Sequence, residues 1–319
     1  MLSDLVEGDA TGYDLIGDVH GHCDELERLL VKLGYRIEGG SYRHESRKAI
    51  FVGDLIDRGP RVRDTLKLVK AMHDRGAALV VLGNHEYNAV CYCTADDSGD
   101  WLRPHSEKNQ KQFQATLDAF VNNPGEWEAY LDWFLDLPLY LDLGAFRVVH
   151  ACWSQRHIET VSRRTLRDLE FLLRSAEEGS PEYGAVEVLL KGPEVSLPEG
   201  SSYRDKDGHL RTKARVKWWL SLRGLSYREA SFPEQCSLPD ALVAEEGTES
   251  QWDVYPASAP PVFVGHYWLP PRDPKPYGNV VCLDYSVAKG GFLAAYRWNA
   301  EEGLDDGRFV VESTPDIAT

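Results

Sequence analysis

Five short stretches of the chain hold most of its potential metal ligands. Asp18 and His20 lie in GDVHG, Asp54, Asp57 and Arg58 in GDLIDRGP, and Asn84, His85 and Glu86 in GNHE, while His150 and His266 stand separately further on. A mixed set of carboxylate, imidazole and amide-oxygen ligands suits manganese, iron, zinc or magnesium rather than a metal selected by soft thiolates. Singly, a D-x-H is usually a hydrogen-bonded surface pair and a G-N-H usually a turn. Occurring together, in order and each after an apolar run, they point to one metal-binding crevice. Cys91 and Cys93 form a C-x-C pair with no second pair nearby, so the six cysteines read as free, reduced thiols. Cys152 beside His150 invites a Cys–His nucleophile, but it is the weaker reading there.

The apolar runs, residues 13–16, 49–52, 78–82, 146–149 and 261–264, are the length of buried strands, and helical repeats follow the first two. Leu26, Leu29, Leu30 and Leu33 share one helix face within 24–33, and Leu66, Val69 and Met72 share one within 62–75. This alternation predicts an α/β protein, in which loops at the carboxyl ends of strands converge on a crevice. Gly17, Gly53, Gly83 and Gly265 allow sharp turns just before the candidate ligands. Residues 109–141 read as helical, with aromatics packed in the core. From 156 to 259 the periodicity fades, which predicts an insertion or cap within a catalytic core of 1–155 and 260–319. Residues 279–283, 292–298 and 308–312 read as a closing β-meander.

The series GD-x-HG, GD-x-x-DRG, GNHE and two later histidines resembles the calcineurin-like metallophosphoesterases, specifically their phosphoprotein phosphatase type. The stretch NVVCLDYSVAKGGFLAAYRW is similar to the closing segment of the bacterial branch that includes diadenosine tetraphosphatases. The resemblance implies two mixed β-sheets sandwiched together and flanked by helices, with a helical or irregular insertion. It also implies two divalent ions, manganese first, with iron, zinc or magnesium as alternatives. Asp18 and His20 would bind the first ion, Asp54 would bridge both, and Asn84, His150 and His266 would complete the second. His85 would be the general acid, Asp57 its orienting carboxylate and Arg58 the phosphate clamp. Arg58, Asn84, Arg215 and Tyr267 are expected to face substrate. Arg204 and Arg211 compete with Arg215 for the place of a second phosphate arginine. Two departures bear on substrate: relatives often have glycines where Ala151 and Cys152 stand, and tetraphosphatases carry alanine at Asp57 and aspartate at Glu86.

Physical chemistry supports the same centre. Two cations roughly 3.5–4 Å apart can share a water and lower its pKa enough to supply hydroxide near neutral pH. An imidazole can then protonate the leaving oxygen, and a guanidinium fits phosphate oxygens in a two-pronged way that lysine does not. The expected function is dephosphorylation of a phosphomonoester, such as phosphoserine or phosphothreonine in a protein. Hydrolysis of a dinucleoside tetraphosphate or cyclic nucleotide is the first alternative, and a non-catalytic phospho-binding adaptor the second. The net charge, 35 − 51 = −16, argues against wrapping long nucleic acid or lying on an anionic membrane. No basic and apolar leader opens the chain, so a cytoplasmic location is expected. Tyr203–Trp219 is its most basic part, a candidate wall against an anionic substrate.

Overall fold

The structure, a computed structural model, describes residues 10–204, 208–234, 237–243, 252–299 and 303–314. The chain begins β1 (Gly12–Ile16), α1 (Cys23–Lys32), a hairpin of β2 (Arg36–Glu38) and β3 (Ser41–Arg43), then β4 (Arg47–Phe51) and α2 (Val62–Asp74). Next come β5 (Ala78–Val80), α3 (Asn84–Cys93), α4 (Glu107–Phe120), α5 (Pro124–Asp136), β6 (Tyr140–Asp142) and β7 (Arg147–Val149). The middle contains α6 (Gln155–Val161), α7 (Leu169–Ala176), α8 (Pro181–Lys191), β8 (Glu194–Ser196), β9 (Tyr203–Arg204), β10 (Leu210–Arg211), β11 (Lys213–Arg215) and α9 (Tyr227–Ala230). Strands β12 (Val262–Val264), β13 (Val280–Cys282), β14 (Asp284–Tyr285), β15 (Phe292–Trp298) and β16 (Phe309–Ser313) close the fold.

Two mixed sheets result, as the resemblance implied. One runs β14-β15-β1-β4-β5, with β16 also on β15, and the other runs β13-β12-β7-β6. Strands β1, β4 and β5 are parallel and β15 is antiparallel to β1. Side chains alternate across a strand, and this sequence uses both faces. Leu15, Ile50, Val52, Leu79 and Val81 meet Val148, Phe263 and Val281 between the sheets. Their neighbours Ile16, Ala49, Phe51, Ala78 and Val80 pack instead with the leucine faces of α1 and α2.

Strands β7 and β12 are adjacent and parallel, so everything from α6 to α9 is an excursion between neighbouring strands. Its apolar side chains, including Phe171, Leu189 and Trp218, join the same cluster as α1 and α2. The excursion therefore shares the main core.

Two local expectations need correction. Residues 109–141 are not one helical region: Pro124 starts α5 after a break, and Tyr140–Asp142 pairs with β7 as a strand. Ladder pairing and the buried Leu141 outweigh helical preference there. GNHE is not a closed turn but the start of α3. The β2–β3 hairpin, without a buried alternating face, gave little pattern to read.

Phe263 is fully buried between the sheets, with its ring edge-on to Phe146 at 5.7 Å and tilted on Tyr296 at 5.2 Å. Phe263→Ala is expected to lower unfolding free energy by about 3–5 kcal/mol, measured by chemical denaturation.

Candidate dinuclear metal centre

All five ligand stretches follow the carboxyl ends of β1, β4, β5, β7 and β12. Several of their residues adopt positive φ without being glycine: His20 (46°), Asp54 (53°), Asp57 (68°), Arg58 (67°), His266 (69°) and Trp268 (54°). Each such conformation costs on the order of 1–3 kcal/mol and persists only when its surroundings enforce it. The loops lace together to do so. The Asp54 carbonyl accepts from the N–H groups of Val19 and His20, and Gly59 N–H donates to the His20 carbonyl.

Glu86 supplies the main clamp. Its buried carboxylate accepts from the backbone N–H of Gly83 (3.1 Å), Asp54 (2.9 Å), Leu55 (2.8 Å) and Ile56 (3.2 Å). Burial and the nearby Asp54 carboxylate push its pKa up to about 7. Glu86 thus secures loop geometry, and as the third residue of α3 its side chain reaches back to the Gly83 N–H at the helix start. Glycines allow close approach: a Cβ on Gly265 would lie 1.9 Å from Asp18 Oδ1, and one on Gly83 2.2 Å from Asp54 N.

The structure brings Asp18, His20, Asp54, Asn84, His85, His150 and His266 into one buried cluster. Two groupings share Asp54: His20, Asp54 and His85, and Asp54, His150 and His266. Asn84 Oδ1 lies 3.1 Å from His150 Nε2 and 2.7 Å from His266 Nδ1. Asp18 Oδ2 accepts from His266 N–H at 2.9 Å, while Oδ1 is buried without a partner.

Hydrogen bonding shows whether cations fit. His20 Nδ1 faces the Ile56 carbonyl at 2.9 Å and His150 Nδ1 faces that of Val52 at 2.7 Å. Those carbonyls fix the ring protons on Nδ1, so each Nε2 presents a lone pair to the centre. His20 Nε2 is buried without a partner, and His150 Nε2 meets Asp54 Oδ1 at 3.3 Å. Acceptors thus face acceptors away from water, a costly arrangement that positive charge relieves. Burial opposes charge on His150, yet Asp54 and Asp18 raise its pKa, a negative field that a proton or a metal cation at Nε2 would answer. Burial and the facing carboxylates of Asp284 and Asp54 push Asp18 up, while burial and the neighbouring His85 push His20 down. The donor set fits two divalent cations sharing Asp54.

Beside this cluster, His85 Nδ1 lies 2.5 Å from Asp57 Oδ2, and Arg58 Nη2 lies 3.4 Å from His85 Nε2. Burial opposes charge on His85, but Asp54 and Asp57 raise its pKa. Buried Thr116 of α4 donates to Asp57 Oδ1 and accepts from Asp57 N–H, a support that sequence reasoning missed. The Arg58 guanidinium lies 4.0 Å over the Trp268 ring. Buried Asp284, also missed, holds Trp268 through its backbone N–H at 2.7 Å. Its only sequence signal was an acid directly after the apolar run at 280–283.

The centre opens into a cleft of about 720 Å³ whose lining includes Arg58, His85, Arg211, Arg215 and Phe232. Arg215 Nε has no hydrogen-bond acceptor, and its nearest ion-pair distance, to Glu194, is 3.9 Å. Arg204 is exposed and donates to the Gly208 carbonyl, outside the cleft lining. Tyr267 borders the cleft but is 1% exposed, and its hydroxyl bridges the Ala151 carbonyl and Trp218 Nε1. Tyr267 thus stands as a wall of the cleft, with its hydroxyl engaged inside the protein. Cys152 is fully buried, and burial raises its thiol pKa, leaving no thiolate nucleophile.

These features together define a phosphoesterase centre. A sequence model described as Calcineurin-like phosphoesterase matches residues 13–224, and the chain belongs to that family. It is therefore a phosphoester hydrolase of a family that uses divalent metals. The symmetrical bis(5'-nucleosyl)-tetraphosphatase of Vibrio cholerae is 28% identical over 287 residues, covering 89% of this chain and 94% of that protein. The asymmetrical bis(5'-nucleosyl)-tetraphosphatase PrpE of Oceanobacillus iheyensis is 49% identical over 73 residues, 23% of this chain and 29% of that protein. A solved protein serine/threonine phosphatase from Saccharomyces cerevisiae shares the fold at 14% identity and TM-score 0.50, covering 98% of this chain and 83% of that one. Among the described residues, no helix is long and apolar enough to cross a membrane.

Glu86→Gln replaces an acceptor with an amide donor facing backbone N–H groups. It is expected to cost about 1–3 kcal/mol for each N–H left unpaired. Thermal denaturation and metal content measured by elemental analysis should fall together.

Proposed function

We propose that this enzyme hydrolyses a phosphoanhydride bond of a dinucleoside oligophosphate, of the tetraphosphate class, using two divalent cations with manganese preferred. One observation carries the reading: likeness to a symmetrical tetraphosphatase spans 89% of this chain and 94% of that protein, so it must include most of the excursion that walls the cleft. A cleft bordered by arginines also suits a compact polyanion better than a folded protein surface.

In this reading Asp18, His20 and Asp54 would hold one cation, and Asp54, Asn84, His150 and His266 would hold the other. Such a pair would supply Lewis-acid activation of water and neutralise phosphate charge. Arg58, braced by Trp268, and Arg215, which lines the same cleft, orient the scissile phosphate for in-line attack. His85 donates a proton to the departing oxygen from Nε2. Asp57 keeps the other ring proton on Nδ1 and stabilises the imidazolium.

The Asp57–His85 pair also favours a second reading, hydrolysis of phosphoserine or phosphothreonine. Proton donation matters most for a poor leaving group such as an alkoxide, and less for a departing phosphate. Relative turnover separates the two.

With manganese and diadenosine tetraphosphate, ADP is expected as the sole product. Chelation should abolish turnover and manganese should restore it, while Asp54→Asn should lower kcat by roughly a thousandfold or more. A higher kcat/KM for phosphopeptides than for the tetraphosphate would overturn the first reading in favour of the second. Asp57→Asn is expected to lower kcat on phosphoserine peptides by about 100-fold, within the usual range for proton transfer. Its effect on the tetraphosphate should be smaller, as steady-state kinetics on both substrates would show.

A further inference from the structure

Helix α3 extends the centre outward. Asn84 opens the helix among the metal ligands, and Asn88 and Tyr92 follow at i+4 and i+8. Residues four apart share a helix face, and all three line the same cleft. The step from Asn84 to Asn88 rises about 6 Å along the axis, on the scale of a link or two in a phosphoanhydride chain.

Asn88 holds an arginine at this point. Arg103, which also lines the cleft, donates from Nη1 to Asn88 Oδ1 at 3.0 Å and from Nη2 to Gln112 Oε1 at 3.1 Å. Both acceptors are neutral amides. Among the described residues no carboxylate forms an ion pair with Arg103, although most other half-buried arginines here have one. Arg47, for comparison, has Asp14 at 2.9 Å. Burial lowers the Arg103 pKa, and Glu187 and Asp57, near it but outside ion-pair distance, offset this only in part. Exposed Lys108 adds a second positive group to the cleft lining. In a protein of net charge −16, a guanidinium positioned by two amides and in no ion pair is arranged for an anion that arrives with substrate.

We propose that Arg103, positioned by Asn88 and Gln112, binds a phosphate of the substrate beyond the scissile one, so that the cleft selects oligophosphates over simple monoesters. This rests on the dinucleoside oligophosphate reading above. Arg58 and Arg215 act at the reacting phosphorus, whereas Arg103 grips the chain one helical turn further out. Selectivity therefore comes from the wall formed by α3 and the loop before α4.

Arg103→Gln and Arg103→Lys are compared with wild type on diadenosine tetraphosphate and p-nitrophenyl phosphate, with manganese in excess. The ratio of kcat/KM between the two substrates cancels any loss of folded enzyme. For Arg103→Gln it should fall tenfold or more, mainly through KM for the tetraphosphate, and Arg103→Lys should recover part of the loss. An unchanged ratio, or a greater loss on p-nitrophenyl phosphate, overturns the proposal. Failure of wild type to cleave the tetraphosphate would instead refute the function reading. The subsite is then tested with inorganic tripolyphosphate as a competitive inhibitor of p-nitrophenyl phosphate hydrolysis. Its inhibition constant should rise at least tenfold in Arg103→Gln, and an unchanged constant overturns the proposal.

Discussion

A single buried carboxylate sets the geometry on which the centre depends. Glu86 accepts four backbone N–H groups, one from its own helix start and three from the loop after β4. Asp54 lies in that loop with φ at 53°, and Asp57 and Arg58 follow with similar values. Without an acceptor at Glu86, those N–H groups would be buried and unpaired, and the strained loop would have reason to relax. The carboxylate thus couples α3, which carries Asn84 and His85, to the loop that carries Asp54 and Asp57. It maintains the spacing between ligands without being one.

The same local packing explains how an acidic protein can bind phosphate. Part of the net −16 charge is concentrated at Asp18, Asp54, Asp57, Glu86 and Asp284, all buried around the centre. Two divalent ions would add four positive charges to the cluster, with Arg58 and Arg215 at its rim. The remaining negative charge is mostly superficial and screened over roughly a Debye length of 10 Å at ordinary salt. Bulk charge therefore disfavours long polyanions that would touch the outer surface, while a short anion meets a positive field inside the cleft.

Much of the site was legible because its ligands sit next to strand ends. A strand followed by glycine and a ligand-type side chain is a local pattern that Asp18, Asp54, Asn84 and His266 follow, while His150 comes directly after its strand. Parallel strands in each sheet then bring those local patterns to one edge, which made the α/β layering readable as well. Supporting contacts were less legible because they depend on packing between distant segments. Thr116 lies on a helix 59 residues from the Asp57 it serves. Asp284 reaches back 16 residues to hold Trp268 in place under Arg58. Trp268 carries no sequence signal of its brace, since only its position beneath the guanidinium distinguishes that role from ordinary core packing. The excursion was hard to read for a related reason: its short strands β8 and β11 pair only with each other, and its apolar residues join a core built by other elements.

This division between strand ends and later loops has a chemical logic. Metal ligands tolerate little displacement, which suits the candidate ligands' place just after rigid strands and on the first turn of α3. Substrate groups must adapt to an anion that enters and leaves, and the proposed phosphate contacts Arg58 and Arg215 reach the cleft from a loop and a short edge strand. Their supports are correspondingly soft: an aromatic face for Arg58, and a carboxylate 3.9 Å away for Arg215. Both guanidiniums retain unpaired donors for a phosphate while remaining oriented toward the centre. Had Arg215 formed a close bidentate pair with Glu194, its donors would be occupied and phosphate would have to displace the carboxylate. The looser contact leaves the guanidinium available, and the anion supplies the missing charge when it binds.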